Sequence, residues 1–120
     1  MPKTILVADD EESIVEVVSL FLQYNGYETL EAYDAETAVK MVTKKPDLII
    51  LDVWFGAIDG TTLSRQFKTQ DNSKDIPILM FSAARDLRKY TLDAGADGYI
   101  EKPFDITDML SQVKTLLAKQ

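Results

Sequence analysis

The sequence predicts an α/β fold, a five-stranded parallel sheet with five helices packed on its two faces. Three observations point to it. Short, wholly apolar runs of strand length recur along the chain. Stretches with apolar residues at helical spacing alternate with them, and the connections are short and rich in Gly, Pro, Asp and Asn. Uninterrupted apolar strands alternating with amphipathic helices mark a parallel sheet covered on both sides.

Residues 5–8 (Ile-Leu-Val-Ala) form the first such run. Ile14, Val17, Val18, Phe21 and Leu22 then fall at i, i+3, i+4, i+7 and i+8, one face of a helix. Asn25-Gly26 ends it, since Gly most easily takes the left-handed cap. A weaker strand is expected over 28–32. Asp34 reads as the N-cap of a helix that turns Ala38, Val39 and Val42 inward. Pro46-Asp47 breaks that helix before the second strong strand, 48–51 (Leu-Ile-Ile-Leu). Asp59-Gly60 marks a turn, with a helix over roughly 61–69, and Pro77 precedes the third strong strand, 78–81. Asp86 is positioned to cap a short helix that stops at Gly95. Residues 99–101 form a short last strand. Ile106, Met109, Leu110, Val113, Leu116 and Leu117 make the clearest helical stripe. Asp105 is its expected N-cap, with Phe104 and Met109 at the hydrophobic staple positions.

A single domain, 1–120, is expected, with no repeat, low-complexity tract or linker within it and without room for an output domain. No His and no Cys occur, which excludes disulfides, thiolate nucleophiles, Ser–His–Asp triads and the usual structural zinc sites. A net charge of −7 argues against a nucleic-acid grip, which needs clustered Lys and Arg. No apolar run nears the ~20 residues of a membrane span. A soluble, cytoplasmic protein is expected, working with carboxylates, hydroxyls, amines and backbone.

Open parallel sheets bind ligands beyond the carboxyl ends of their strands. There the sequence places Asp9 and Asp10 after the first strand, Asp52 after the third, Ser82 after the fourth and Lys102-Pro103 after the fifth. Singly, each has an ordinary structural explanation, such as an acidic run ahead of a helix or a solvated lysine. Their joint placement at four strand ends does not. Carboxylates crowded together resist joint ionisation unless a cation enters. A hard-oxygen set without His or Cys suits Mg²⁺, which keeps waters for a phosphate. Asp52 could act as a nucleophile, because Asp carboxylates form aspartyl phosphates.

Asp9-Asp10, Asp52, Ser82-Ala83 and Lys102-Pro103-Phe104, in this order and on these elements, resemble the receiver domain of two-component response regulators, over essentially the whole chain. That resemblance implies a flavodoxin-like doubly wound sheet of strand order 2-1-3-4-5. It also implies phosphoryl transfer to Asp52 from the phospho-His of a histidine kinase or of a His-containing phosphotransfer protein. Asp10 and Asp52 would ligate Mg²⁺ directly, with the Trp54 backbone carbonyl as a third ligand and Asp9 acting largely through water. Ser82 and Lys102 would hold the phosphoryl oxygens, and Tyr99 would be the aromatic switch residue. The Lys102-Pro103 bond would be cis. The output would be a changed face formed by the fourth helix, last strand and last helix, read by a downstream protein that the sequence does not name. Such a domain is a switch that assists its own phosphorylation and dephosphorylation rather than an enzyme. Without His, the chain cannot supply its own phosphohistidine.

Three departures from the family pattern carry expectations of their own. The run after the phosphoacceptor is Val53-Trp54-Phe55-Gly56, where the family usually has a Met-Pro pair, so Gly56 is expected to loosen that loop. Trp54 and Ala84 stand at positions that tune loss of the phosphoryl group to water; an indole and a methyl point to slow hydrolysis. Gln112 replaces the Arg that the transcription-factor branch uses in an intersubunit ion pair, so a monomer or weak dimer is expected.

Rival readings fare worse. A metal-dependent aspartyl phosphatase would want Asp where Trp54 stands, and a flavodoxin-like carrier would need a hydroxyl- and Gly-rich loop where Asp9-Asp10-Glu11-Glu12 lies. The remaining alternative is a receiver-like interaction module that works without phosphorylation, though such modules commonly lack one of these residues.

Overall fold

The computed structural model describes residues 2–55, 58–82 and 95–118. Its elements in chain order are β1 (Thr4–Ala8), α1 (Glu12–Tyr24), β2 (Glu28–Ala32), α2 (Ala35–Val42) and β3 (Leu48–Asp52). They continue with β4 (Trp54–Phe55), β5 (Ile58–Asp59), α3 (Gly60–Thr69), β6 (Ile78–Ser82), β7 (Gly98–Glu101) and α4 (Ile106–Ala118). The main sheet has the order β2-β1-β3-β6-β7, and every pairing in it is parallel. Setting aside the small β4-β5 ribbon, this is the order 2-1-3-4-5 of the flavodoxin-like fold.

The period of two along each strand splits the core into two layers. Leu6, Ala8, Ile49, Leu51, Ile78 and Met80 face α2 and α3, meeting Ala38, Val42, Leu63 and Phe67. The alternate residues Ile5, Val7, Leu48, Ile50, Leu79 and Phe81 face α1 and α4, meeting Val15, Val18, Leu22, Met109, Val113 and Leu116. Each such side chain contributes about 1.5–3 kcal/mol by leaving water, which fixes the strands and therefore their carboxyl ends.

Local signals explain the boundaries. Asp34 caps α2 by accepting from the Thr37 N–H at 2.7 Å. Asp105 accepts from the Thr107 N–H at 2.8 Å at the start of α4, and Phe104 packs into the same cluster as Met109. Gly26 takes φ +92° after α1. The Lys102-Pro103 peptide bond is cis.

Two points differ from the sequence expectation, and one expected helix falls outside the described residues. Four helices occur among the described residues; the helix expected from Asp86 to Gly95 falls on 83–94, outside them, as does Ala84. The segment after Asp52 is no plain turn, because β4 and β5 pair antiparallel, Trp54 with Asp59 and Phe55 with Ile58. Gly56, expected to loosen this loop, lies outside the described residues. On α1 the buried face is Val15, Val18, Ser19 and Leu22, whereas Val17 is 56% exposed. The stripe is rotated by one residue, since Val15, Val18 and Leu22 already span i, i+3 and i+7 and Val17 sits about 100° round from Val18.

Candidate functional site

The carboxyl ends of β1 and β3 lie side by side, with Ala8 paired to Leu51. One step further, Asp9 follows β1 and Asp52 ends β3, so parallel pairing alone brings the two carboxylates together. Asp10 joins them. Carboxylate oxygens of Asp9, Asp10 and Asp52 all lie within 4.8 Å of one another. Asp9 and Asp52 are buried and Asp10 is exposed, so the cluster opens to water on one side.

Lys102 enters from the far edge of the sheet. β6 and β7 pair Ser82 with Glu101, and the Lys102 N–H donates to the Ser82 carbonyl at 2.6 Å. This places the Lys102 side chain over the cluster. Its Nζ donates to Asp9 Oδ2 at 2.7 Å and lies 3.4 Å from Asp52 Oδ1. Sequence reasoning put this ammonium at the rim for phosphoryl oxygens; the structure pairs it first with Asp9. The second Asp9 oxygen accepts from the Glu11 N–H at 3.0 Å. Ser82 ends β6 and is fully buried. Tyr99 is half-buried on β7, opposite Met80. Trp54 opens β4, two residues beyond Asp52.

The electrostatics follow from burial and crowding. Loss of water around Asp52 pushes its carboxyl up to about 6, the negative charge of Asp9 adds to the rise, and Lys102 partly offsets it. Burial would lower Lys102, but its hydrogen bond to Asp9 and the charges of Asp52 and Asp9 outweigh that, and its pKa is raised. Lys102 therefore stays an ammonium, while Asp52 is poised to change charge just below neutrality.

The donor set fits a hard divalent cation. All ligands are oxygen, and the three carboxylates lie within 4.8 Å of one another, near enough to gather round one such ion. A structural support that sequence reasoning missed is Gly60. A Cβ there would run into the Asp52 carbonyl oxygen and lie 3.0 Å from Val53 Cα. The Gly60 N–H also donates to the Val53 carbonyl at 2.5 Å. Asp59-Gly60 carried a turn signal in the sequence, but nothing in its spacing tied that turn to the backbone of Asp52.

A parallel 2-1-3-4-5 sheet with an acidic trio and a lysine at its carboxyl edge places the chain in the flavodoxin-like doubly wound class. The family model for the response regulator receiver domain matches residues 5–114, and the chain belongs to that family. It is 39% identical to the phosphate regulon transcriptional regulatory protein PhoB of Pseudomonas aeruginosa, over 98% of this chain and 52% of PhoB. It is 40% identical to the alkaline phosphatase synthesis transcriptional regulatory protein PhoP of Bacillus subtilis, over 99% of this chain and 50% of PhoP. The chain thus spans about half the length of these curated relatives. Among solved structures, the chemotaxis response regulator CheY4 of Vibrio cholerae superposes with a TM-score of 0.90 at 29% identity, covering 97% of this chain and 99% of that one. The receiver domain of a Pseudomonas aeruginosa sensor histidine kinase, which holds magnesium in its active-site cleft, shares the fold with a TM-score of 0.88 at 24% identity, over 98% and 99% of the two chains. No helix among the described residues is long and apolar enough to cross a membrane.

Proposed function

We propose that this receiver accepts a phosphoryl group on Asp52 from the phosphohistidine of a partner kinase or phosphotransfer protein, in the cytoplasm. An Asp52 oxygen forms the new O–P bond as the N–P bond breaks, and the electron pair stays with the departing imidazole. The carrying observation is the convergence of Asp9, Asp10 and Asp52 within 4.8 Å beneath the Lys102 ammonium. Asp10, Asp52 and the Trp54 carbonyl would hold Mg²⁺, with Asp9 bound through water. Bound there, the ion would offset the carboxylate charge and draw phosphoryl oxygens towards Asp52. Lys102 contributes a fixed positive charge to those oxygens, and the Ser82 hydroxyl a hydrogen bond. Through Ser82 and Tyr99, the modified state alters the face that includes β7 and α4, which a downstream protein reads. In this reading the chain acts as a monomer or weak dimer, without touching nucleic acid itself.

Beryllium fluoride with Mg²⁺, which mimics an aspartyl phosphate, tests this through the fluorescence of Trp54, the one tryptophan. A saturable change that Asp52→Ala abolishes is expected. No Asp52-dependent change would instead favour an interaction module that works without phosphorylation.

A further inference from the structure

Gln112 stands where the transcription-factor branch carries the Arg of an intersubunit ion pair, and the structure gives it a different task. Its Nε2 donates to the backbone carbonyl of Tyr99 at 2.9 Å, from the middle of α4 to β7. β7 is an edge strand of the sheet, so among the described residues no further strand pairs with its outer side, and α4 packs against it. The room for this reach comes from Gly98: a Cβ there would lie 3.1 Å from Gln112 Oε1 and 3.2 Å from Leu116 Cδ1. A Cβ there would crowd the amide together with Leu79 Cδ1, also at 3.1 Å, so these neighbours would have to give by a few tenths of an ångström.

The bond joins the two parts of the molecule that must communicate. Three residues beyond Tyr99 the same segment delivers Lys102, whose backbone is tied to Ser82 and whose ammonium is tied to Asp9. A displacement of Lys102 or Ser82 at the site is therefore felt by β7. Gln112 makes a polar side-chain tie from α4 to β7. The apolar neighbours Val113 and Leu116 hold α4 to the sheet, and the hydrogen bond adds a directional tie to one backbone carbonyl of β7.

We infer that Gln112 is a positioning residue that couples β7, at Tyr99, to α4, so that a change at the phosphoacceptor site reaches the α4 surface within one chain. This rests on the phosphoacceptor reading above.

The test compares wild type with Gln112→Met, of similar volume but without a donor, and with Gln112→Lys, which restores one. Amide hydrogen exchange is followed over 98–101 and 106–118, with and without beryllium fluoride and Mg²⁺, while Trp54 fluorescence reports binding at the site. In Q112M the unliganded β7 amides should open about fivefold more often, the loss of one ordinary hydrogen bond. The fluorescence midpoint should stay at the wild-type value while the α4 exchange response falls away, and Q112K should recover it. Should Q112M not fold, Gln112→Glu removes the donor in an isosteric side chain and reads the same quantities. A full α4 response in the donor-less variants, with only a lower Tm, means that Gln112 is merely structural and overturns the inference. Absence of any Asp52-dependent fluorescence change in wild type overturns instead the phosphoacceptor reading beneath it.

Discussion

Asp52 is the residue at which chemistry and stability pull apart. Burial and the Asp9 charge raise its carboxyl from 3.8 to about 6. The folded protein therefore holds a proton that the unfolded chain releases at lower pH. Between these two values the native state binds more protons, so Asp52 makes stability fall as pH rises, and the full penalty stands above about pH 6. In a chelator, Asp52→Asn should melt higher than wild type at neutral pH, by about 1–2 kcal/mol after allowance for the water that reaches the site. The gap between the two melting curves should close as pH is lowered from 6 towards 4; a gap independent of pH would place the cause elsewhere. Trp54 carries a second prediction. An indole offers water no acceptor, so Trp54→Asn should shorten the lifetime of the phosphorylated protein several-fold, measured by loss of radiolabelled phosphate. The carboxylates and Ser82 were legible because strand ends are legible, each following or closing an apolar run, and Lys102 because it follows the short last strand ahead of Pro103. The pairing of Lys102 with Asp9 was not, since side-chain partners 93 positions apart are chosen by packing that spacing does not encode.

The elements that the sequence shows clearly are those whose periodicity serves one purpose. β3 and β6, and β1 from Ile5 on, are buried on both faces, so their residues are apolar until the strand ends. The rotated face of α1 shows the limit of that logic. Val17 is as apolar as Val18, and hydrophobic spacing cannot tell which of two adjacent valines meets the sheet; the position of β1 and β2 decides. The β4-β5 ribbon was invisible for a different reason. Two-residue strands have no period, and their pairing is set by Gly60 closing on Val53 and Asp52. That closure is testable. Gly60→Ala should cost about 1–3 kcal/mol through overpacking, and it should weaken Mg²⁺ binding, because the backbone that must yield is that of Asp52. Gly26→Ala is the contrasting variant. Its Cβ meets nothing within 4 Å, so strain at φ +92° costs about 1–2 kcal/mol and leaves Mg²⁺ affinity at the wild-type value. Equal effects on affinity, read by fluorescence titration, would detach Gly60 from the site.

At the scale of the whole molecule, three of the twenty acidic residues behind the net charge of −7 converge on one point. Lys102 offsets only part of that charge, so the sheet is held together against a repulsion that it creates at its own carboxyl edge. A ligand that binds the folded protein alone stabilises it by RT ln(1 + [L]/Kd), because the unfolded chain scatters Asp9, Asp10 and Asp52 and has no site to fill. With Mg²⁺ tenfold above its Kd, the gain is about 1.4 kcal/mol, or roughly 5 °C in Tm for a domain of this size. The shift should grow with the logarithm of Mg²⁺ concentration above Kd, a signature that ionic strength alone does not give. Matching the ionic strength with sodium chloride should reproduce little of it, because screening weakens the repulsion within the cluster without bridging its oxygens. Asp52→Asn should lose most of the Mg²⁺ shift while starting from a higher Tm in chelator. Those opposite signs in one variant separate a site built to be filled from one that is merely acidic. A Tm unchanged by millimolar Mg²⁺, or a shift equal in wild type and D52N, would show that the cluster does not hold the ion.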